Sequence, residues 1–279
     1  MTDDAGSAAT LRWQAALPLA LATTVAIGFA RFSYGMLLPP MRADLGWSYT
    51  LAGGMNTANA IGYLLGALST PWLLRRTGAA TTLLAGMLCG ALFTLVSAFV
   101  TDGTLLAAQR LVAGIASAWA LIAGSLLVAR VGVLHPHRAS LLLGVYYSGA
   151  GIGVIVSASG VPIALLLGEY FGWSHPWQLA WLLLGIGSLA ATAVVAPLAL
   201  RVPVPAPTTR AAAQAPLRAL LPGLSSYLLY GIGYIGYMTF VIAWLREQGV
   251  PQALVIAFYT LLGVAILASS LLWAGLLER

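Results

Sequence analysis

Charge is what this 279-residue chain has least of. Only 7% of its residues are Asp, Glu, Lys or Arg, where a soluble domain carries about 25%. Lysine is missing altogether, so all 13 basic residues are arginine, and there are only seven acids. With 60% hydrophobic residues and a mean hydropathy of +0.92, the chain cannot clothe its own surface in polar groups. Its surroundings must be largely lipid. Soluble enzymes, nucleic-acid modules and disordered proteins are excluded on that ground. The net charge of +6 does not restore nucleic acid as a partner, because the arginines lie singly or in pairs between apolar runs rather than in a patch. One cysteine, Cys89, sits inside an apolar run, which excludes a disulfide scaffold or a thiolate metal site.

What is there is a succession of apolar segments. A spanning helix needs about 20 mostly apolar residues, and eight candidates satisfy this: 15–39, 49–73, 80–100, 104–129, 140–167, 178–200, 219–245 and 252–277. The reading is all-α, a polytopic transmembrane helix bundle. The breaks carry turn chemistry: Pro39-Pro40, Arg75-Arg76-Thr77-Gly78, Thr101-Asp102-Gly103, His135-Pro136-His137 and Gly249-Val250-Pro251. The first run is too long for a secretory leader and is followed at once by a second span, so it is read as helix one. Residues 201–217, rich in Pro, Ala and Thr, read as a cytoplasmic linker between a six-helix unit (1–200) and the first two helices of another (218–279).

Arginine placement sets the orientation. Arg12, Arg75, Arg76, Arg130, Arg138, Arg201, Arg210 and Arg218 fall on one side of the membrane. Only Arg42 and Arg246 fall on the other, together with Asp44, Asp102, Glu169 and Glu247. The positive-inside rule then puts both termini in the cytoplasm. Trp13 and Trp72 are expected at the inner interface, and Trp47, Trp173, Trp177 and Trp244 at the outer one.

The start of the chain also echoes beyond the linker. Leu17-Pro18 matches Leu221-Pro222. Arg31 and Tyr34 follow the first proline at nearly the spacing with which Tyr234 and Tyr237 follow the second, and Arg75 and Arg279 lie equally far beyond their prolines. Parallel six-helix repeats are the scheme of one large transporter class. On that scheme the chain ends two helices into its second half, four short of completion.

These features resemble the major facilitator superfamily. In helix four, Arg110-Leu-Val-Ala-Gly114 looks like the RxxxG signature of that family. In helix five, Gly149, Gly151, Gly153, Gly160 and Pro162 are similar to its glycine-rich antiporter motif, without an intact Gly-Pro pair. After helix two, where the family has an Asp-Arg-x-Gly-Arg core, this chain has Arg75-Arg76-Thr77-Gly78-Ala79, lacking the acid and the trailing base. Gly28-Phe-Ala-Arg31-Phe-Ser-Tyr34-Gly35, Asn56-x-x-Asn59-x-x-Gly62-Tyr63 and Gly144-Val-Tyr146-Tyr147-Ser-Gly149 are similar to the YbfB/YjiJ-like branch. The resemblance implies a secondary transporter in a bacterial inner membrane. Alternating access would expose a cavity lined by helices one, four and seven, with Arg75, Arg76, Gly78, Gly114, Gly149, Gly153 and Pro162 in gating or conformational roles. It implies a small-molecule solute and no catalytic residue, cofactor, metal or obligate protein partner.

Two charges lie well inside spans, Arg31 and Arg110. Each sits roughly 12 Å below the outer end of its helix at about 1.5 Å per residue. No Asp or Glu lies in any span to pair with them. An intramembrane arginine costs roughly 2.5–3.5 kcal/mol, so both are expected to face a shared cavity. Two readings stand: the pair binds an anionic group on the solute, or one arginine donates to backbone carbonyls and ties helices one and four together.

Tyr227, Tyr230, Tyr234 and Tyr237 recur at helical spacing on one face of helix seven, interleaved with Gly231, Gly233 and Gly236. They form either a wall of the solute cavity with a glycine hinge, or an ordinary packing face. Asn56, Asn59 and Tyr63 share a face of helix two, and Tyr146, Tyr147 and Ser148 are further cavity candidates. With no intramembrane acid, coupling to a proton has no carboxylate relay here, and uniport, exchange and symport all remain. A non-transporting sensor or remnant and a multidrug exporter are the alternatives. The two arginines oppose export of lipophilic cations.

Overall fold

The computed structural model describes residues 13–202 and 217–277. They form eight long helices: α1 (Ala16–Leu45), α2 (Tyr49–Thr77), α3 (Ala79–Val96), α4 (Gly103–Leu134), α5 (Ala139–Tyr170), α6 (Trp177–Ala199), α7 (Leu217–Glu247) and α8 (Gln252–Leu277). Seven are long and apolar enough to cross a membrane; α2 has the length, 29 residues, but is diluted by its glycines, asparagines and threonines. The sides turned outward are apolar, with Leu68, Leu166, Leu261 and Leu272 among the exposed residues. This is the surface of a multi-pass membrane protein.

Helix ends follow local chemistry. The Ser48 hydroxyl accepts from the Leu51 N–H at 3.1 Å to start α2, and the Asp102 carboxylate accepts from the Leu105 N–H at 2.8 Å to start α4. Gly46 and Gly78, with φ of +64° and +82°, turn the chain between α1, α2 and α3. Pro39-Pro40 is no break. α1 runs through both prolines to Leu45; each ring removes one backbone donor, and neither ends the helix. The stop comes where a left-handed residue is available.

Protein covers some of the tryptophans read as an aromatic belt. Trp72 and Trp244 are exposed, but Trp47 and Trp177 are buried. Trp177 donates its indole N–H to the Asp44 carboxylate, which also meets His175 Nδ1 at 2.6 Å. A buried indole N–H is thereby satisfied by an acceptor of the protein. Arg12, Arg210, Arg279 and linker residues 203–216 lie outside the described residues, as does the Trp13 side chain.

Two glycine seams set the packing. Along α2/α4, a β-carbon on Gly62 would overlap the Leu111 carbonyl oxygen, and one on Gly114 the Asn59 carbonyl oxygen. The backbones touch there. α5 is a spine between α1 and α8: Gly153 meets Gly28 of α1, Gly149 meets Ala20, and Gly151 meets the Gly263 carbonyl of α8. Such close approach replaces the hydrophobic drive that lipid cannot supply between helices.

α7 behaves differently along its length. From Arg218 to Tyr230 its side chains are exposed, whereas Val241, Ile242 and Ala243 are buried. The Gly46 end of the bundle is closed over that second half. Phe240 meets Gly53 and packs edge-on to Tyr49 at 6.0 Å, Arg42 lies over the Tyr49 ring at 3.7 Å, and the Tyr49 hydroxyl donates to the Glu247 carboxylate. This last bond ties α2 to α7 across the rim. A Tyr49→Phe variant keeps the ring contacts and loses the bond. Spin labels at Thr50 and Gln248, in a Cys89→Ser background, should then report about two- to fivefold more separated conformers, the worth of an exposed charge-assisted hydrogen bond. An unchanged distance distribution would show that the bond does not hold the rim.

Candidate functional site

α1 is not a uniform α-helix. Between an α turn at Ala20–Thr23 and an α segment at Ser33–Leu45, residues Thr24–Phe32 form a π-helix of nine residues. Widened turns of this kind are uncommon and cluster at functional sites. Here the carbonyls they loosen accept from side chains on two other helices: Arg110 Nη1 of α4 donates to Ala30 O at 2.7 Å, and the Tyr259 hydroxyl of α8 donates to Phe32 O at 2.7 Å. On the side facing α5, the Thr24 hydroxyl donates to Gly149 O at 2.8 Å and the Thr23 hydroxyl to Tyr146 O at 2.5 Å. Arg31 sits in the last turn of this segment.

The two arginines are neighbours through Ala30, but they do not share one open chamber as expected. Arg110 is 4% exposed and sealed between the Tyr34 ring (5.1 Å) and the Trp181 ring (5.5 Å). One of its N–H groups is taken by Ala30 O, while Nε and Nη2 are buried with no partner among the described residues. The Arg31 guanidinium lies over Tyr63 of α2 (5.9 Å) and Tyr234 of α7 (5.6 Å). Among the described residues it has no hydrogen-bond partner, and no ion pair reaches either arginine. Ring faces can hold a guanidinium by its own faces while leaving the in-plane N–H groups open.

Arg31, Tyr34, Asn56 and Tyr234 line one crevice together with Phe32, Met238 and Thr239. Its free space is about 10 Å³, which admits one water at most. The crevice leaves almost no room beside Arg31, which itself stays partly exposed. The Tyr34 hydroxyl donates to Ala52 O at 2.7 Å and Asn56 Nδ2 donates to the Thr239 hydroxyl, so α1, α2 and α7 are stitched at this level. Asn59 Nδ2 donates to the backbone carbonyl of Arg110 at 3.0 Å, on the α2/α4 seam rather than in the crevice.

The remaining candidates separate. Tyr146 is fully buried, its hydroxyl donating to Leu121 O at 2.9 Å and its ring pressed on Gly124, which fixes α5 against α4. Tyr230 stacks on Tyr234 (5.3 Å, 17°) and Tyr227 tilts onto Tyr230 (6.3 Å, 39°). Tyr237 is exposed and outside this row. At Gly231, Gly233 and Gly236 nothing lies near where a β-carbon would stand, so no close helix approach explains them among the described residues.

Of the residues given conformational roles, Gly114, Gly149 and Gly153 lie at seams, and Pro162 is buried beside a cavity of about 460 Å³ lined by Asp44, Glu169 and Arg246. Arg75 and Arg76 are exposed at the end of α2, the latter over Trp72 at 5.1 Å, with Gly78 turning the chain behind them. Sequence reasoning missed Thr239, Trp181 and Tyr259, which come to the arginines from distant helices with no local pattern to mark them.

A family model described as "Uncharacterised MFS-type transporter YbfB" matches residues 23–279. A "Chloramphenicol resistance protein" of Streptomyces lividans is 30% identical over 167 residues, covering 59% of this chain and 41% of that protein. The alignment thus spans about two fifths of that relative's length.

Proposed function

This chain belongs to the MFS-type transporter family of YbfB, and from that premise we propose that it carries a small organic anion across the cytoplasmic membrane by alternating access. Membrane transport follows from the family; the solute and the mechanism are our reading. The observation that carries it is a cationic pair with no counter-ion among the described residues: Arg31 at the crevice with no hydrogen-bond partner there, and Arg110 over Tyr34 with two buried, unpartnered nitrogens. A guanidinium kept at mid-membrane depth with vacant N–H groups is suited to bidentate binding of a carboxylate or phosphate.

In this reading Arg31 meets the anion first. A shift of Tyr34 then brings Arg110 into reach. The narrow crevice corresponds to an occluded arrangement, and the stitching of α1 and α2 to α7 at the Gly46 end is the part that must part and reform as the two halves, 1–200 and 218–279, rock against each other. The arginine asymmetry supports both termini being cytoplasmic, and a proton remains one candidate coupling partner.

Replacing Arg31 with Gln tests the proposal. In proteoliposomes, uptake of small carboxylates should fall about 10- to 100-fold, the worth of one or two charge-assisted hydrogen bonds. Unchanged uptake would end the anion reading. A second reading, drug export, draws on the chloramphenicol resistance relative and on the uncovered ring faces of Tyr227 and Tyr230, which would accept an uncharged aromatic solute. It requires aromatic drug flux that survives Arg31→Gln.

A further inference from the structure

The anion proposal concerns one end of a longer surface. From the Arg31 guanidinium, rings follow one another down α7: Tyr234 at 5.6 Å from the cation, Tyr230 stacked on Tyr234 at 5.3 Å, and Tyr227 at 6.3 Å from Tyr230. Tyr63 of α2 also meets the cation, at 5.9 Å, and Phe32 of α1 meets Tyr234 edge-on at 6.0 Å. Three rungs over seven residues give a row roughly 10 Å long, enough for one or two aromatic rings.

The first rung is half-buried in the crevice. Tyr230 and Tyr227 are 62% and 78% exposed. No hydrogen bond engages their hydroxyls among the described residues, and lipid would be a poor partner for that many phenols at this depth.

A site of this form distinguishes solutes in a specific way. An aliphatic anion uses the guanidinium alone. A neutral arene uses the rings alone. A molecule with both a planar ring and an anionic end uses both, because ring centroids at 4.5–7 Å add an offset-stacking contribution to burial while the guanidinium edge takes the oxygens.

Resting on the anion reading, we infer that the preferred solutes are aryl carboxylates, with the carboxylate on Arg31 and the ring seated on the Tyr234–Tyr230–Tyr227 row. The order of rungs also gives a direction. The row leads from the exposed Arg218 end of α7 toward the cation, so a solute entering from that end meets the rings before the charge.

Three probes separate the parts: benzoate, cyclohexanecarboxylate, which has the charge and bulk without the π face, and benzamide, which has the ring without the charge. Binding is measured by thermal stabilisation of the purified full chain and by competition with radiolabelled benzoate. Benzoate should bind about tenfold more tightly than cyclohexanecarboxylate and at least about 30-fold more tightly than benzamide. Tyr234→Leu and Tyr230→Leu should bring benzoate down to the level of cyclohexanecarboxylate without weakening the latter. Tyr230→Phe, which keeps the ring and the fold, should retain the preference.

Equal affinity for the two acids, both lost in Arg31→Gln, overturns the aryl inference and leaves the anion proposal standing. Benzoate binding indifferent to Arg31→Gln overturns both. So does the absence of saturable binding of either acid up to about 10 mM, a free energy too small for even one charge-assisted pair.

Discussion

An Arg110→Met chain should fold at least as well as the original and transport at least about a hundredfold less. The two halves of that expectation have opposite signs for one reason. The Arg110 guanidinium is 4% exposed, has no carboxylate neighbour among the described residues, and leaves Nε and Nη2 unsatisfied. A buried charge in that condition burdens the fold, and replacing buried charges by an apolar side chain of similar volume is commonly neutral or stabilising. Losing the bond to Ala30 O costs about 1 kcal/mol, which the removed desolvation offsets.

Transport is another matter, since two vacant N–H groups that close on an anion contribute about 1.5–3 kcal/mol each. Melting temperature by intrinsic fluorescence and uptake per folded molecule in proteoliposomes read the two effects separately. If the variant instead melts far lower while each surviving molecule transports normally, Arg110 is only a strut between α1 and α4 and the proposed function loses its second cation.

The other large effect concerns folding. A valine at Gly62 or Gly114 should leave little or no folded protein, and Gly62→Ala should lower the melting temperature by about 5–10 °C. At both positions the added carbon meets a backbone carbonyl oxygen of the facing helix, Leu111 O or Asn59 O. Backbone cannot rotate away as a side chain would, so α2 and α4 must separate along their whole seam. Overpacking of a yielding core costs about 1–3 kcal/mol, and this is the unyielding case.

Separation would also break the bond from Asn59 to the Arg110 carbonyl and lower the site with it. Gly54, on the same helix with open space where its β-carbon would stand, is the control. Gly54→Ala should melt within about 2 °C of the original or higher, since alanine is the better helix former by about 1 kcal/mol. Equal losses at Gly54 and Gly62 would show that helix propensity, not the seam, is at stake. Size-exclusion profiles in detergent and a thermal ramp decide between them.

The same seam shows how much of the site could be read in one dimension. Arg110 and Gly114 lie one turn apart on α4, and their spacing was legible. That Gly114 serves to admit the Asn59 carbonyl, and so brings α2 within reach of the Arg110 backbone, was not. Tyr234 and Tyr230 were legible as one stripe of α7, but so was Tyr237, which stands apart. Helical periodicity gives the face and says nothing of how far along the helix a neighbour extends. Arg31 and Arg110 were legible as isolated intramembrane charges at one depth. Tyr34 was itself a candidate, yet its place under the Arg110 guanidinium and beside the Arg31 crevice depends on a hydroxyl bond to Ala52 O of another helix.

Apolar run length, glycine and cap positions and arginine placement belong to the chain itself, because the cost of exposing backbone or charge to hydrocarbon acts on each segment separately. They determined the all-helical, membrane-spanning architecture and which end of each helix carries charge. The π-helical turn of α1, the narrowness of the crevice beside Arg31 and the burial of Trp47 and Trp177 were decided only in three dimensions. They depend on donors, acceptors and rings brought from elsewhere in the fold, Arg110, Tyr259, Tyr234 and, for Trp177, Asp44 among them, and hydrogen bonds and ring contacts at 3–6 Å have no trace in sequence separation.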